Sequence, residues 1–242
     1  MSSGTKAATS AADALNNVGW ALHLTGDDAA ARVELVAGRK ELRTRTAEED
    51  LALVLAPAPD AEPAREARLA YPMGLAFAPN GDLYVAELQG SRVRRIARPG
   101  APDATIHRFL GVPAADLLAD RVPTAAGFEG RPALEVPALF PFGLAIDPRG
   151  RCYVSLVNTR HLSGLTAILG LPPGAEASLP KLDPVVAYIE PDGSYHTLVG
   201  PRGRLLTDPV AEDALSAPAG LALDGHGRLA IADVGANLLR VL

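Results

Sequence analysis

The side chains that most often do chemistry are spread along this chain without forming a known catalytic motif. Its five histidines are isolated, and none has the spacing to another histidine or a cysteine that zinc sites show. They are His23, His107, His161, His196 and His226. Ser155 and Ser163 lack the Gly-x-Ser-x-Gly context of a nucleophilic serine, and no glycine-rich phosphate loop occurs. The sequence therefore predicts no catalytic residues, no metal ligands and no cofactor.

Four carboxylates stand at matching positions and indicate turns rather than a metal site. Asp147 and Asp224 stand where the chain enters a tight turn, and Glu87 and Asp233 end short apolar runs. Carboxylates at such places commonly accept hydrogen bonds from backbone N–H groups. We expect a structural role for all four, with metal binding as the alternative.

These positions match because the chain repeats itself. The unit Pro-Met-Gly-Leu-Ala-Phe-Ala-Pro-Asn-Gly-Asp-Leu-Tyr-Val-Ala-Glu begins at Pro72, and it recurs without gaps from Pro141 and from Pro218. A second glycine follows the first by seven residues in every copy. The unit predicts a β-hairpin, in which a glycine-containing turn joins two strands.

The first strand of each copy is apolar on both faces. In the first copy, Gly74 and Ala76 share one face, and Leu75 and Phe77 share the other. Large residues of one sheet can then pack on small residues of the next, as in sheets stacked around an axis. Further strand-like segments lie at 92–96, 105–111, 184–189, 195–200 and 238–242. We predict an all-β fold, a β-propeller of four-stranded antiparallel blades.

The repeats resemble NHL repeats, whose pattern is Pro-x-Gly-Ile/Val-Ala-Val-Asp-x-x-Gly-x-Ile-Tyr-Val-Ala-Asp, followed by a polar loop and Arg-Ile/Val. The copy at 72 continues to Arg92 and Val93, and the copy at 218 continues through Asn237 to Val241. The copy at 141 has Leu156 where the acid belongs. The resemblance covers roughly residues 70–242 and implies a propeller, of about six blades in this family. Such a motif specifies fold far better than function.

The predicted organisation has five parts. They are a disordered or short helical segment at 1–17, a degenerate first blade at 18–57, a blade at 72–111, a blade at 140–200 with a long insertion at 157–183, and an incomplete blade at 218–242. A plain β-meander cap is the alternative for the first blade. About four blades, the last without its fourth strand, make a partial or open ring. We expect a fragment of a longer propeller, a small ring closed imperfectly, or self-association through the open edge of the last blade.

In NHL-like propellers the residue before the first glycine of each repeat faces the mouth of the central channel. The resemblance places Val18, Met73, Phe142 and Ala219 there, and all four are apolar. Related gluconolactonase and senescence-marker propellers keep Asn and Asp metal ligands at this position, so their activity is not expected from these residues. An apolar mouth suits a ligand or peptide, and a plugged, narrow channel is the alternative.

Two polar residues at the start of the long insertion, Asn158 and His161, are candidate ligand contacts. Their spacing matches no ligand motif, so a solvated loop is the favoured interpretation. The basic run at 92–98 has no interleaved aromatic residues. It therefore indicates a charged strand edge rather than a surface for single-stranded RNA.

The composition fits a globular chain with a sizeable core. Apolar residues make up 48% and charged residues 21%, and the net charge of −5 disfavours a polyanionic partner. The single cysteine, Cys152, excludes an internal disulfide and is expected to be buried. No signal peptide or membrane-spanning run is apparent, which permits a cytoplasmic location without fixing the compartment.

The sequence thus favours a non-catalytic NHL-type propeller segment that acts as a binding scaffold for a protein, peptide or small ligand. A metal-dependent lactonase or hydrolase of the gluconolactonase-like class is the alternative. Neither a membrane nor a nucleic acid is an expected partner.

Overall fold

The structure is a computed structural model that describes residues 21–23, 32–38, 59, 61–112, 127–158, 182–200 and 215–242. This part of the chain is all-β. Its strands are β1 (Ala21–His23), β2 (Arg32–Glu34), β3 (Ala61–Pro63), β4 (Pro72–Phe77), β5 (Leu83–Glu87), β6 (Arg92–Ala97), β7 (Thr105–Leu110), β8 (Pro141–Ile146), β9 (Cys152–Leu156), β10 (Val185–Ile189), β11 (Tyr195–Val199), β12 (Pro218–Leu223), β13 (Leu229–Asp233) and β14 (Leu238–Val241). Two single-turn 3-10 helices, Ala64–Glu66 and Ala133–Glu135, interrupt them.

The strands form antiparallel sheets in the order of the chain. Sheet one has the order β3-β7-β6-β5-β4, sheet two the order β11-β10-β9-β8 and sheet three the order β12-β13-β14, while β1 pairs with β2. The repeat supplies the first hairpin of each of the three sheets. All three hairpins share one irregularity, a register shift just after the proline that opens the first strand.

The five strands of sheet one exceed the four that the sequence predicts for a blade. The extra strand, β3, lies before the repeat and pairs antiparallel with β7, with Pro63 opposite Thr105. A proline has no N–H for a ladder, so it is tolerated on an edge strand. In the predicted first blade at 18–57, only β1, β2 and a few following residues are described, so that prediction remains open.

The three sheets pack face to face in sequence. Between sheets one and two, Tyr84 and Val93 of sheet one meet Leu144 and Val154 of sheet two in one buried cluster. A second cluster joins sheets two and three in the same way. The described residues include no helix with the length and hydrophobicity that crossing a bilayer requires.

Cys152 begins β9 and lies in the cluster between sheets one and two. It is 1% exposed, as its place in the repeat predicts. Burial raises the pKa of its thiol far above the ordinary value. The side chain therefore behaves as a small apolar core residue.

The first strands of successive sheets lie side by side, β4 against β8 and β8 against β12. A Cβ atom at Gly74 would lie 2.1 Å from the carbonyl oxygen of Phe142, and one at Gly143 would lie 2.1 Å from that of Ala219. At Gly220, the same position of sheet three, the nearest atom is the Cβ of Ala232 at 3.6 Å. Glycine is therefore required in sheets one and two for close backbone approach.

The difference in space around these glycines predicts that a Gly→Ala substitution has unequal effects in the three sheets. Gly74→Ala and Gly143→Ala should each lower the free energy of unfolding by about 3 kcal/mol, because the methyl group meets fixed backbone atoms. The matched variant Gly220→Ala should change it by about 0.5 kcal/mol or less, since its methyl group meets only an ordinary contact. Urea unfolding followed by circular dichroism measures all three. Equal losses at Gly74 and Gly220 would contradict the proposed packing.

Candidate functional site

An apolar cluster, which we call the end cluster, lies at one end of the three sheets. Its buried members are Leu88, Leu139, Phe140, Val157 and Ala217. They come from chain segments that leave a second strand or enter a first strand, and a hairpin brings such segments to the same end. One backbone bond recurs there in each sheet, as the N–H groups of Leu88, Val157 and Val234 donate to the carbonyls of Tyr71, Phe140 and Ala217.

Two of the residues predicted at the channel mouth meet on the end cluster. Met73 and Phe142 are both half-buried and pack against it. Ala219 is buried instead, and its carbonyl accepts a hydrogen bond from Ser155 Oγ at 2.6 Å. Val18 lies outside the described residues. A role in ligand binding stays a prediction for all four.

Asn158 follows Val157 of the end cluster and is only 4% exposed. Its backbone N–H donates to the carbonyl of Leu139, and its Nδ2 donates to the carbonyl of Asp183. No described group donates to its Oδ1, although this atom is buried. The sequence predicted a ligand contact or a solvated loop, and burial rules out the solvated loop. His161 lies outside the described residues.

The backbone is strained beside the same cluster. Tyr71 and Phe140, which precede the prolines that open β4 and β8, have φ angles of 60° and 53°. Bulky aromatic residues seldom adopt the left-handed region, and residues held there often lie at functional sites. The strain therefore adds to the reasons for placing a candidate binding site at this end of the sheets.

A fully buried carboxylate, Glu87, ties sheet one to the segment that enters it. Its Oε2 accepts from the backbone N–H of Ala70 at 3.0 Å and from Arg92 Nε at 2.9 Å. Its Oε1 accepts from Arg94 Nε at 2.5 Å, and Arg94 also donates to Glu62 Oε1 at 2.6 Å. The position is thus structural, as the repeat predicts.

This network corrects the view of the basic run as a charged strand edge. Arg92 and Arg94 are buried, at 8% and 1% exposure, because both side chains turn toward Glu87. Arg95 is half-buried and pairs with Asp82, and Arg98 is exposed and pairs with Asp103. The sequence did not reveal this burial, because it depends on Glu87 of the neighbouring strand β5 and, for Arg94, also on Glu62 of β3.

Sheets two and three hold the segment that enters the first strand by different contacts. In sheet three, Asp233 accepts from the backbone N–H groups of Ser216 and Ala217 and pairs with Arg240. In sheet two the acid is replaced by Leu156, and the residue at the position of Arg94 and Arg240 is Ala187. Leu156 and Ala187 are both buried in the apolar cluster between sheets one and two. The acid and the arginine are therefore lost together.

The turn carboxylates also have the predicted structural role. Asp147 Oδ1 accepts from the backbone N–H groups of Arg149 and Arg151, and Asp224 Oδ1 accepts from those of His226 and Arg228. Burial alone would raise the pKa of Asp147. The hydrogen bonds from the side chain and backbone of Arg151 outweigh that effect and lower it. Within the described residues, no group of three His, Cys, Asp or Glu side chains has the arrangement of a metal site.

The structure brings together three polar residues that sequence reasoning did not connect. His196 Nδ1 lies 2.6 Å from Glu129 Oε1, and its Nε2 lies 3.2 Å from Ser194 Oγ. The ring of Tyr188 stacks on the imidazole with centroids 5.1 Å apart. We call Ser194, His196 and Glu129 the outer triad. His196 lies on β11, Ser194 ends the turn before it, and Glu129 comes from the segment before the 3-10 helix Ala133–Glu135. The only signal in the sequence is a hydroxyl two residues before a histidine, which also occurs at Thr105 and His107 and at Thr159 and His161.

A cleft of about 380 Å³ lies beside the outer triad. Its walls come from β7, from residues 130–134 and from the turn between β10 and β11. Ser194 is one of its lining residues, and Arg108 is the cation among those described. Phe109, Pro132 and Leu134 supply apolar surface.

Comparisons with known proteins leave the family open. No protein-family model matches the chain. A search of curated proteins finds no match either.

Several solved structures align with part of this chain at low sequence identity. A virginiamycin B lyase from Staphylococcus aureus is 13% identical with a TM-score of 0.38, and 77% of this chain aligns with 43% of the lyase. A gluconolactonase from Xanthomonas campestris is 17% identical with a TM-score of 0.37, over 74% of this chain and 36% of the other. An auxiliary nutrient binding protein from Bacteroides thetaiotaomicron is 13% identical with a TM-score of 0.44, over 69% and 36%. The chain thus spans less than half of each, and its function has to be argued from its own residues.

In sheet two, Leu156 and Ala187 replace the acid and the arginine. This replacement predicts how Glu87 and Arg94 respond to mutation. Glu87→Leu should lower the free energy of unfolding by about 3–5 kcal/mol, because it leaves Arg94 buried without its closest partner. Adding Arg94→Met should restore part of that loss, since the pair then resembles the apolar solution of sheet two. Urea unfolding of both variants and of Arg94→Met alone measures the coupling.

The exposed pair Arg98 and Asp103 provides the control. Asp103→Ala should change the free energy of unfolding by about 0.5 kcal/mol or less, because exposed ion pairs contribute little. Additive losses for Glu87→Leu and Arg94→Met would show that the two residues do not act as a buried pair.

Proposed function

We propose that this chain is an NHL-type propeller segment whose end cluster is a non-catalytic site that binds the apolar part of a peptide or small ligand. The observation that carries the proposal is Asn158, whose buried Oδ1 has no donor among the described residues. A buried acceptor without a partner costs free energy, so such a site gains from a ligand that supplies an N–H or O–H group.

The surroundings of Asn158 suggest the rest of the ligand. The half-buried side chains of Met73 and Phe142 add apolar surface that can still be covered. A thioether and an aromatic ring adapt well to irregular apolar partners. The proposed ligand therefore combines an apolar group with one hydrogen-bond donor, which a peptide backbone with a hydrophobic side chain also provides.

A metal-dependent lactonase is the weaker proposal. A hard cation such as calcium needs several oxygen ligands. The positions before the first glycines offer Met73, Phe142 and Ala219 instead. No contact in the described residues favours this activity over binding, so it serves as the alternative that a metal-dependent assay would reveal.

Anilinonaphthalene sulfonate, an apolar fluorescent probe with one N–H group, tests the binding proposal. The chain has two methionines, Met1 and Met73, so methyl-labelled methionine gives two NMR signals that Met73→Leu assigns. Saturable binding should shift the Met73 signal alone. Phe142→Ala should weaken binding about tenfold, the loss expected from about 1.4 kcal/mol of apolar contact.

Phe77→Ala serves as the matched control, because Phe77 is an exposed aromatic residue of sheet one that lies outside the end cluster. It should leave the affinity unchanged. Probe binding that ignores Phe142→Ala, or that leaves the Met73 signal in place, would reject the end cluster as the site.

A further inference from the structure

The outer triad has the geometry of a nucleophile, a base and a group that orients the base. Glu129 also accepts from the backbone N–H of Thr197 through Oε2 at 3.0 Å, so both of its carboxylate oxygens bond to residues of β11. Because a carboxylate oxygen only accepts, the imidazole donates to it from Nδ1. Nε2 of the neutral ring is then left as an acceptor toward the Ser194 hydroxyl, 3.2 Å away.

We propose that Ser194, His196 and Glu129 form a hydrolytic site that cleaves small carboxylic esters bound in the adjoining cleft. This activity is separate from ligand binding at the end cluster. The triad is recognised by geometry and role, and it occurs on unrelated folds with no common sequence order. A nucleophile, a base and a cleft in one place are the features that define a candidate active site.

The reaction proceeds in two steps, acylation of Ser194 and hydrolysis of the acyl-serine. Ser194 Oγ attacks the ester carbonyl carbon while His196 Nε2 takes the hydroxyl proton, and His196 then returns that proton to the departing alcohol oxygen as the C–O bond breaks. Water attacks the acyl-serine in the second step, again losing a proton to His196, which returns it to Ser194 Oγ as the acid leaves. Arg108 lines the same cleft and gives its wall a positive charge. Glu129 positions the imidazole and does not contact the substrate.

Asp192 opposes this activity in the resting structure. Its Oδ1 lies 2.7 Å from Ser194 Oγ and competes with His196 for the hydroxyl proton. The hydrogen bonds from the hydroxyl and backbone N–H of Ser194 lower the pKa of Asp192, so it remains an ionised acceptor near neutral pH. Asp192→Asn should therefore raise the rate several-fold.

Hydrolysis of p-nitrophenyl acetate by the full chain tests the proposal, together with labelling by a fluorophosphonate. We expect turnover that Ser194→Ala and His196→Gln reduce by about a hundredfold or more, and a phosphonate adduct on Ser194 in the peptide mass spectrum. Glu129→Gln should lower kcat with little change in KM, and Glu129→Asp should recover part of it. That split and rescue distinguish positioning from a structural role.

The matched control lies on the preceding sheet. Thr105 Oγ1 lies 2.9 Å from His107 Nε2, and His107 occupies the position in β7 that His196 occupies in β11. No carboxylate of the described residues contacts His107, so Thr105→Ala and His107→Gln should leave the rate unchanged. A rate that survives Ser194→Ala, the absence of turnover in the wild-type chain, or an adduct elsewhere would overturn the proposal.

Discussion

The close approach of the first strands controls how the three sheets are arranged. Gly74 and Gly143 let the backbone of one sheet meet a carbonyl of the next at a distance that excludes a methyl group. Since the sheets meet along this line, the segments that enter the first strands also meet, and Met73 and Phe142 come together on one apolar cluster. The small residues therefore determine the position of the large ones, and the candidate binding site follows from a packing requirement.

The segment that enters each first strand is held by one of two kinds of contact, a buried ion pair or an apolar pair. Sheets one and three use a buried acid with an arginine, while sheet two uses Leu156 with Ala187. A buried ion pair and a packed apolar pair can be similar in stability, whereas half of either pair is costly. The paired loss of acid and arginine within one chain is what this balance predicts, and it explains why the repeat pattern is less strict at that position.

Much of the fold could be predicted from the spacing of the repeat. Glycine and apolar positions indicate hairpins and their faces, because strand alternation is a local property. Contacts between distant segments could not be predicted in the same way. The burial of Arg94 depends on Glu87 across the ladder and on Glu62 from a separate strand, and the outer triad depends on Glu129, which is far from Ser194 in sequence. Asn158 was predicted as a loop residue because it opens the long insertion, whereas its hydrogen-bond partners, Leu139 and Asp183, are distant in sequence.

Cys152 gives the junction between sheets one and two a chemical identity of its own. It is the single thiol of the chain, it is sealed between two sheets, and burial keeps it in the unreactive protonated form. Any reagent that modifies it must wait for those two sheets to separate. The rate of thiol labelling therefore measures local opening at this junction, and the measurement needs no substitution.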